Sequence, residues 1–217
     1  MNDHSRRLKT RVRTAKKRSA ASTRWLARQL NDPLVAAARS AGYRARSVFK
    51  LEEIDQKHAL IKKGMVVVDL GAAPGSWSQY ASQKGAKVVA LDLLAIEAIP
   101  GVTCLQGDFM AADQDAALLE ATGGRIDLVL SDMAADATGR KIVDRLKAEA
   151  LGEAVLDFAR QHVRPGGDCL LKTVRGAETS LRAMAQNFTK QQFLLRPKAT
   201  RSDSSEIFLL VRGFKPA

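Results

Sequence analysis

A glycine-bearing loop and two aspartates have the residue types and positions of a nucleoside-binding site. Gly71 and Gly75 bracket a loop that follows the apolar run Val66–Leu70 and precedes a helical stretch. Glycine lets the backbone approach a ligand closely, and the helix start that follows offers free N–H groups. Asp92 and Asp108 end the next two apolar runs. Acidic side chains at such positions can accept hydrogen bonds from ribose hydroxyls and from the amino group of adenine.

The glycine loop departs from the pattern that binds dinucleotides. A nicotinamide dinucleotide site has the spacing Gly-x-Gly-x-x-Gly, which packs the backbone against a pyrophosphate. Here three residues, the last of them Pro74, separate the two glycines, so a phosphate cradle is disfavoured. An adenosine ligand without phosphates fits better, which predicts S-adenosylmethionine as the cofactor. Aspartates also cap helices and form turns, and this structural role stays open for Asp69, Asp92 and Asp108.

Alternating strands and helices position these residues. We predict strands at Met65–Leu70, Lys87–Leu91, Val102–Leu105, Ile126–Ser131, Asp168–Val174, Phe193–Arg196 and Ile207–Val211. We predict helices at Ser76–Lys84, Asp113–Ala121, Val143–His162 and Glu178–Phe188, preceded by short helices between Thr23 and Ala41 and by one that begins at Ser47. This order indicates a Rossmann-like α/β fold, in which a seven-stranded, mostly parallel sheet has helices on both faces. The last two strands lack a helix between them and should pair antiparallel near a sheet edge.

The positive charge of the chain is concentrated at its N-terminal end. The 217 residues include 35 lysines and arginines and 23 aspartates and glutamates, for a net charge of +12. Residues 1–50 hold 14 of the bases and two of the acids, so they account for the whole excess. Such asymmetry is typical of a segment that binds a polyanion. We expect a basic, flexible arm at 1–22 and a single domain at 23–217, with a solvated tail or a mitochondrial transit peptide as alternatives for the arm.

Composition excludes several classes of protein. With 46% apolar residues the chain can bury a core, and no apolar run approaches the roughly 18 residues of a membrane span. Cys104 and Cys169 lie in strand-like runs, as buried thiols in a reducing cytoplasm do. Two cysteines cannot build a cysteine-based zinc site, and the three histidines show no ligand spacing. We therefore expect a cytoplasmic monomer that binds neither membrane nor metal.

Six ordered stretches of the chain match a known family of enzymes. They are Arg44–Ile54, Val67–Tyr80, Leu105–Asp108, Leu130–Ala134, Leu171-Lys172 and Ser205–Ile207. In these stretches the chain resembles the FtsJ/RrmJ (RlmE) family of class I methyltransferases, and the resemblance extends from about Arg24 to Phe214. The family transfers a methyl group from S-adenosylmethionine to a ribose 2′-hydroxyl of 23S ribosomal RNA. The resemblance implies the assembled large ribosomal subunit as partner and a uridine of the peptidyl-transferase A-loop as target.

The resemblance also assigns site residues. The family's Lys-Asp-Lys-Glu tetrad falls on Lys50, Asp132, Lys172 and Glu206. Its cofactor positions fall on Gly75, Trp77, Asp92, Asp108 and Asp132, beside Gly71 of the loop. No metal site is implied.

The resemblance favours Lys172 as the general base. A ribose hydroxyl is a poor nucleophile unless its proton is removed as it attacks. A free lysine has a pKa of about 10.4 and is protonated at pH 7, but burial and a second cation lower the pKa of a lysine, and Lys50 would be that cation. Asp132 would then orient Lys172, and Lys50 with Glu206 would position the ribose. Without the resemblance, the lysines are ordinary surface charges and Glu206 is an edge-strand charge.

Several positions depart from the family pattern, and some alternatives stay open. Ala135-Asp136 replace a common Pro-Asn, Ser76 replaces a second glycine, residues 173–176 differ, and the arm is longer and more basic. Enzymes that methylate amines carry an Asn/Asp-Pro-Pro-aromatic loop after the fourth strand. The absence of proline from Ser131–Ala134 therefore favours oxygen as the nucleophile. Methylation of transfer RNA or of messenger RNA caps, and a non-catalytic role in ribosome assembly, remain alternatives.

Overall fold

The computed structural model of the chain describes residues 10, 11, 14 and 19–215. Its strands are β1 (Val66–Leu70), β2 (Lys87–Asp92), β3 (Val102–Gln106), β4 (Ile126–Ser131), β5 (Val163–Val174), β6 (Gln191–Leu195) and β7 (Glu206–Arg212). Its helices are α1 (Ala20–Asn31), α2 (Pro33–Ser40), α3 (Val48–His58), α4 (Ser76–Gln83), α5 (Gln114–Thr122), α6 (Lys141–His162) and α7 (Glu178–Ala185). Most of the predicted arm at 1–22 lies outside the described residues, and α1 begins at Ala20, ahead of the boundary predicted at Thr23.

The strands form one sheet in the order β3-β2-β1-β4-β5-β7-β6. The first five strands of that order run parallel, whereas β7 is antiparallel to both β5 and β6. This arrangement confirms the predicted seven-stranded, mostly parallel sheet and its antiparallel final pair. The strand order reverses between β1 and β4, where open α/β sheets leave a crevice beyond the carboxyl ends of the strands.

Helices cover both faces of the sheet because successive strand residues point to opposite sides. On one face, Val67 of β1 and Phe208 of β7 belong to a core completed by α3 and α4. On the other face, the neighbouring Val68 and Leu209 belong to a core completed by α5, α6 and α7. Each such side chain stabilises the fold by about 1.5–3 kcal/mol when fully buried. The continuous apolar runs of the sequence follow from this two-sided burial.

Strand β5 begins earlier than the sequence pattern predicts. Val163 pairs with Ile126 ahead of a register shift, and regular pairing resumes at Asp168, where the prediction began. Pro165 and two glycines lie between these points, so this irregular segment resembles a loop in sequence. Among the described residues, no helix has both the length and the apolar character that crossing a membrane requires.

Candidate active site

A cavity of about 370 Å³ lies beyond the carboxyl ends of β1 to β4. Its lining includes four of the predicted site residues: Gly71, Asp92, Asp108 and Asp132. The parallel register brings them together, since Leu70 is paired with both Leu91 of β2 and Ser131 of β4. Apolar side chains, among them Leu93, Phe109, Met110 and Met133, complete the walls. We call this space the cofactor cavity.

Gly71 and Asp92 shape the loop at the floor of the cofactor cavity. Gly71 has a φ of +71°, and a Cβ at this position would overlap the Met133 side chain and lie 3.0 Å from its Cα. Asp92 Oδ2 accepts a hydrogen bond from the Ala73 N–H at 2.9 Å, and its Oδ1 accepts one from the Leu94 N–H at 2.8 Å. Asp92 therefore braces the glycine loop. Each carboxylate oxygen keeps a further lone pair for a ligand hydroxyl.

Asp108 leaves one carboxylate oxygen for a ligand. Its Oδ1 accepts a hydrogen bond from the Met110 N–H at 2.9 Å. Asp108 is thus both a turn former and a candidate ligand, as Asp92 is, because the two roles use different lone pairs.

The cofactor cavity has the chemistry that S-adenosylmethionine needs. The charged residues of its described lining are all aspartates: Asp92, Asp108, Asp132 and Asp136. Carboxylates accept hydrogen bonds from hydroxyls and amines and attract a sulfonium cation, but they repel a pyrophosphate. The apolar walls suit an adenine ring, and the absence of a Cβ at Gly71 lets Met133 of the wall pack against the loop. The residues therefore fit S-adenosylmethionine better than a dinucleotide.

Gly75 and Trp77 belong to the segment that follows Gly71 in the chain but are not among the lining residues of the cofactor cavity. Gly75 precedes α4 with a φ of +102°, and a Cβ there would lie 2.5 Å from Ile99 Cδ1. Trp77 is only 2% exposed, and its ring centroid lies 5.8 Å from that of Phe208 in the core. Its Nε1 donates to the Ser47 carbonyl oxygen at 2.9 Å. The observed contact of Trp77 thus joins α4 to the turn before α3, and its predicted contact with cofactor stays a prediction.

The four predicted tetrad side chains converge at one point. Lys172 Nζ lies 3.0 Å from Asp132 Oδ1 and donates a hydrogen bond to the Asp132 carbonyl oxygen. Lys50 Nζ lies 4.0 Å from the same Oδ1 and within 2.8 Å of both carboxylate oxygens of Glu206. The side chains of all four are 13–19% exposed. They form two linked ion pairs, and Asp132 belongs to both the tetrad and the cofactor cavity.

Four separate parts of the chain bring the tetrad together, and Asp132 is the residue that directly follows β4. Lys172 on β5 and Glu206 on β7 come from adjacent antiparallel strands, in which Val174 pairs with Glu206. Lys50 lies in the first turn of α3, with its Nζ 5.6 Å from the centroid of the Phe208 ring. That ring supports the lysine on the core side.

Arg44 has a structural role that the sequence analysis missed. Its guanidinium donates to the carbonyl oxygens of Pro74, Glu97 and Ala98 at 2.8–3.1 Å. Pro74 belongs to the glycine loop, and the other two belong to the segment after β2. The planar fork of arginine, with five N–H donors, suits this triple contact. Arg44 lies in a stretch that resembles the family, but a lone arginine shows no periodicity that would reveal such a role.

Asp69 is the most deeply buried carboxyl group near the site. It is 1% exposed, and its Oδ2 accepts a hydrogen bond from Ser78 Oγ at 2.6 Å. Burial raises the pKa of Asp69 to about 7, and the charges of Asp132 and Asp92 act in the same direction, against the Ser78 hydrogen bond. A neutral Asp69 adds no charge to a site that already contains several carboxylates.

The chain is similar to known proteins over most of its length. The family model of FtsJ-like methyltransferases matches residues 43–214. Ribosomal RNA large subunit methyltransferase E of Xanthobacter autotrophicus is 47% identical over 218 residues, which cover 97% of this chain and 85% of that protein. The enzyme of the same name from Granulibacter bethesdensis is 46% identical over 208 residues, which cover 94% of this chain and 90% of that protein.

A solved structure shows the same fold. The crystal structure of a ribosomal RNA methyltransferase from Plasmodium falciparum superimposes with a TM-score of 0.72 at 28% identity, covering 81% of this chain and 100% of that one. The matched range 43–214 includes the whole tetrad and every lining residue of the cofactor cavity. The chain therefore belongs to the FtsJ-like methyltransferase family.

Proposed function

We propose that this protein transfers a methyl group from S-adenosylmethionine to a ribose 2′-hydroxyl of 23S ribosomal RNA in the large ribosomal subunit, with Lys172 as general base. We further propose an A-loop uridine as the target, as the resemblance implies. The names of the relatives, which are large-subunit ribosomal RNA methyltransferases, support this class of substrate. The enzyme would act in the cytoplasm, where ribosomal subunits are assembled and used.

One observation supports the proposal more than any other. Asp132 lines the cofactor cavity, and its carboxylate lies 3.0 Å from Lys172 Nζ. A hydroxyl that reaches Lys172 is therefore next to the cavity that fits the methyl donor. A base beside a donor site is what an in-line displacement by oxygen requires.

The tetrad residues divide the work of the reaction. When bound, S-adenosylmethionine supplies an electrophilic methyl carbon. Lys172, in its neutral amine form, accepts the proton of the ribose hydroxyl as the hydroxyl oxygen attacks. Asp132 fixes the position of the Lys172 amine and stabilises the ammonium charge formed on it. Lys50 and Glu206, paired at 2.7 Å, position the ribose from the other side.

The basic residues before Thr23 would add affinity without sequence selectivity. Lysines and arginines that contact phosphates contribute salt-dependent binding and fix orientation, whereas base contacts carry specificity. We propose that residues 1–22 act as such an arm beside a catalytic domain of residues 23–217.

The proposal is tested by methyl transfer from labelled S-adenosylmethionine to large subunits that lack their native ribose methylations. Free 23S RNA and transfer RNA serve as alternative acceptors. Lys172→Ala should lose activity while keeping cofactor affinity. Lys190→Ala, which removes an exposed lysine before β6, is the matched control and should keep full activity.

Two results would contradict the proposal. Label on transfer RNA alone would retain the chemistry but refute the substrate. No label on any acceptor, despite measurable cofactor binding, would favour the non-catalytic role in ribosome assembly.

A further inference from the structure

A second cavity, of about 230 Å³, opens beside the tetrad. Its lining includes Gln29, Arg46, Lys50, Arg201, Ser204 and Glu206, contributed by α1, α3, β7, the turn before α3 and the loop between β6 and β7. It shares two residues with the tetrad and none with the cofactor cavity. We call it the arginine pocket.

Asp32 organises the two arginines of this pocket. Its Oδ2 accepts a hydrogen bond from Arg201 at 3.1 Å and another from Arg46. Arg46 also donates to the Ala199 carbonyl oxygen, so the residue joins the turn before α3 to the β6–β7 loop. Asp32 in addition caps α2 by accepting from the Leu34 N–H at 3.0 Å. One carboxylate thereby holds together three segments that are distant in sequence.

The pair of arginines keeps Asp32 ionised. Burial alone would raise the pKa of Asp32, but hydrogen bonds from Arg201 and from the Leu34 N–H, together with the charge of Arg46, outweigh burial and lower that pKa below its ordinary value. The exposed fractions are 11% for the Asp32 side chain, 15% for Arg46 and 32% for Arg201. Both guanidinium groups are thus held in place while one remains accessible.

The charge of the arginine pocket suits an anion. Three cations, Arg46, Arg201 and Lys50, face two carboxylates, Asp32 and Glu206. Each guanidinium has five N–H donors, and the contacts described above use a minority of them. Planar guanidinium groups with spare donors match the oxygens of a phosphate. The cofactor cavity, with its aspartates, has the opposite preference.

We propose that the arginine pocket binds a backbone phosphate of the RNA next to the ribose being methylated, with Arg46 and Arg201 as its ligands and Asp32 as the residue that positions them. This inference rests on the proposed function. Phosphates flank every ribose of an RNA strand, so a hydroxyl held at Lys172 brings a phosphate close to the pocket. The tetrad and the arginine pocket are adjacent, because Lys50 and Glu206 belong to both.

The first test measures RNA binding of Arg201→Ala. The probes are a labelled single-stranded RNA and the undermethylated large subunit. Loss of a charge-assisted phosphate contact should weaken binding roughly tenfold to a hundredfold. It should also reduce the slope of log affinity against log salt by about 0.7 on single-stranded RNA. Arg160→Ala, which removes a 53% exposed arginine from a surface ion pair with Asp157, should change neither quantity.

The second test separates positioning from charge. Asp32→Asn retains a side chain able to cap α2 but removes the carboxylate charge that holds the arginines. Because the variant gains one net positive charge, its RNA affinity should not fall. Its kcat at saturating large subunit should fall, since the phosphate is no longer held at a fixed place. A residue needed only for folding would instead lower thermal stability and S-adenosylmethionine affinity together.

The outcomes distinguish this inference from the proposed function. If the wild type methylates large subunits while Arg201→Ala keeps its KM and salt slope, the phosphate pocket is refuted and the proposed function stands. If RNA binding depends on Arg201 but no ribosomal RNA is methylated, the pocket does bind RNA phosphate and the proposed function is refuted. Displacement of RNA by micromolar inorganic phosphate would show a small-anion site and refute the RNA assignment. Arg201→Lys should retain part of the affinity, because the charge remains without the planar fork.

Discussion

The buried Asp69 should make the protein less stable as the pH rises. Burial, supported by the charges of Asp132 and Asp92, raises its pKa to about 7, whereas the ordinary value of this carboxyl is 3.8. Between these values the folded protein holds a proton that the unfolded chain has released. The unfolded state then binds fewer protons, so the free energy of unfolding decreases with increasing pH.

The size of the effect follows from the pKa difference. A pKa difference of about 3 between the folded and unfolded states corresponds to about 4 kcal/mol of folding free energy, at 1.36 kcal/mol per pKa unit. Roughly 2–3 kcal/mol of the free energy of unfolding should be lost between pH 5 and pH 8, because the Asp69 carboxyl of the folded protein ionises in this interval. Asp69→Asn has no proton to release. Its free energy of unfolding, relative to that of the wild type, should therefore rise by about 2–3 kcal/mol across this interval.

Urea unfolding at pH 5 and pH 8 measures this difference directly. Asp127→Asn is the matched control, since Asp127 is also fully buried. Burial would raise the pKa of Asp127, but hydrogen bonds from Arg164, from the Val66 N–H and from Arg125 lower it. Its ionised form is therefore stabilising at both pH values, and Asp127→Asn should destabilise the protein equally at both. A difference between wild type and Asp69→Asn that does not change with pH would refute the reasoning.

Further predictions concern the loop, its brace and the tetrad. Gly71→Ala should abolish S-adenosylmethionine binding in calorimetry, because the new Cβ would overlap the Met133 side chain of the cavity wall. The control Gly124→Ala has a similar φ of +74° but no atom within 4 Å of the new Cβ, so it should leave that binding intact. Arg44→Lys should weaken cofactor binding about tenfold, since lysine cannot contact the three carbonyl oxygens in the geometry of the planar fork. Unchanged affinity would show that the Arg44 contacts with these carbonyl groups are dispensable for cofactor binding. Glu206→Gln should lower kcat at unchanged cofactor affinity, because Lys50 loses its 2.7 Å ion pair, and full activity would argue against the tetrad.

Much of the fold can be predicted from the sequence because burial on both faces of a parallel sheet requires continuous apolar runs. The runs at Val66–Leu70 and Ile126–Ser131 appear as strands within one residue of their predicted bounds. The beginning of β5 could not be predicted this way, since Pro165 and the glycines after it have the composition of a loop. Its pairing depends on Ile126, which is distant in sequence.

The residues of the candidate site also differ in how far the sequence predicts them. Asp92 and Asp108 follow from strand ends and a ligand pattern, and the structure places both at the cofactor cavity. The tetrad assignment required the family resemblance, because a lysine such as Lys50 has no local signal. The contacts of Arg44, and those of Asp32 with Arg46 and Arg201, could not be predicted. Their partners lie in segments distant in sequence, so only the folded chain brings them together.

The central claim is that Lys172 activates a ribose oxygen, and nucleoside analysis of the product tests it most directly. Large subunits methylated by the wild type should contain one new alkali-resistant linkage that yields a 2′-O-methylated nucleoside on digestion. Subunits treated with Lys172→Ala, at equal cofactor occupancy, should contain none. A methyl group on a base, or equal 2′-O-methylation by wild type and Lys172→Ala, would contradict the account.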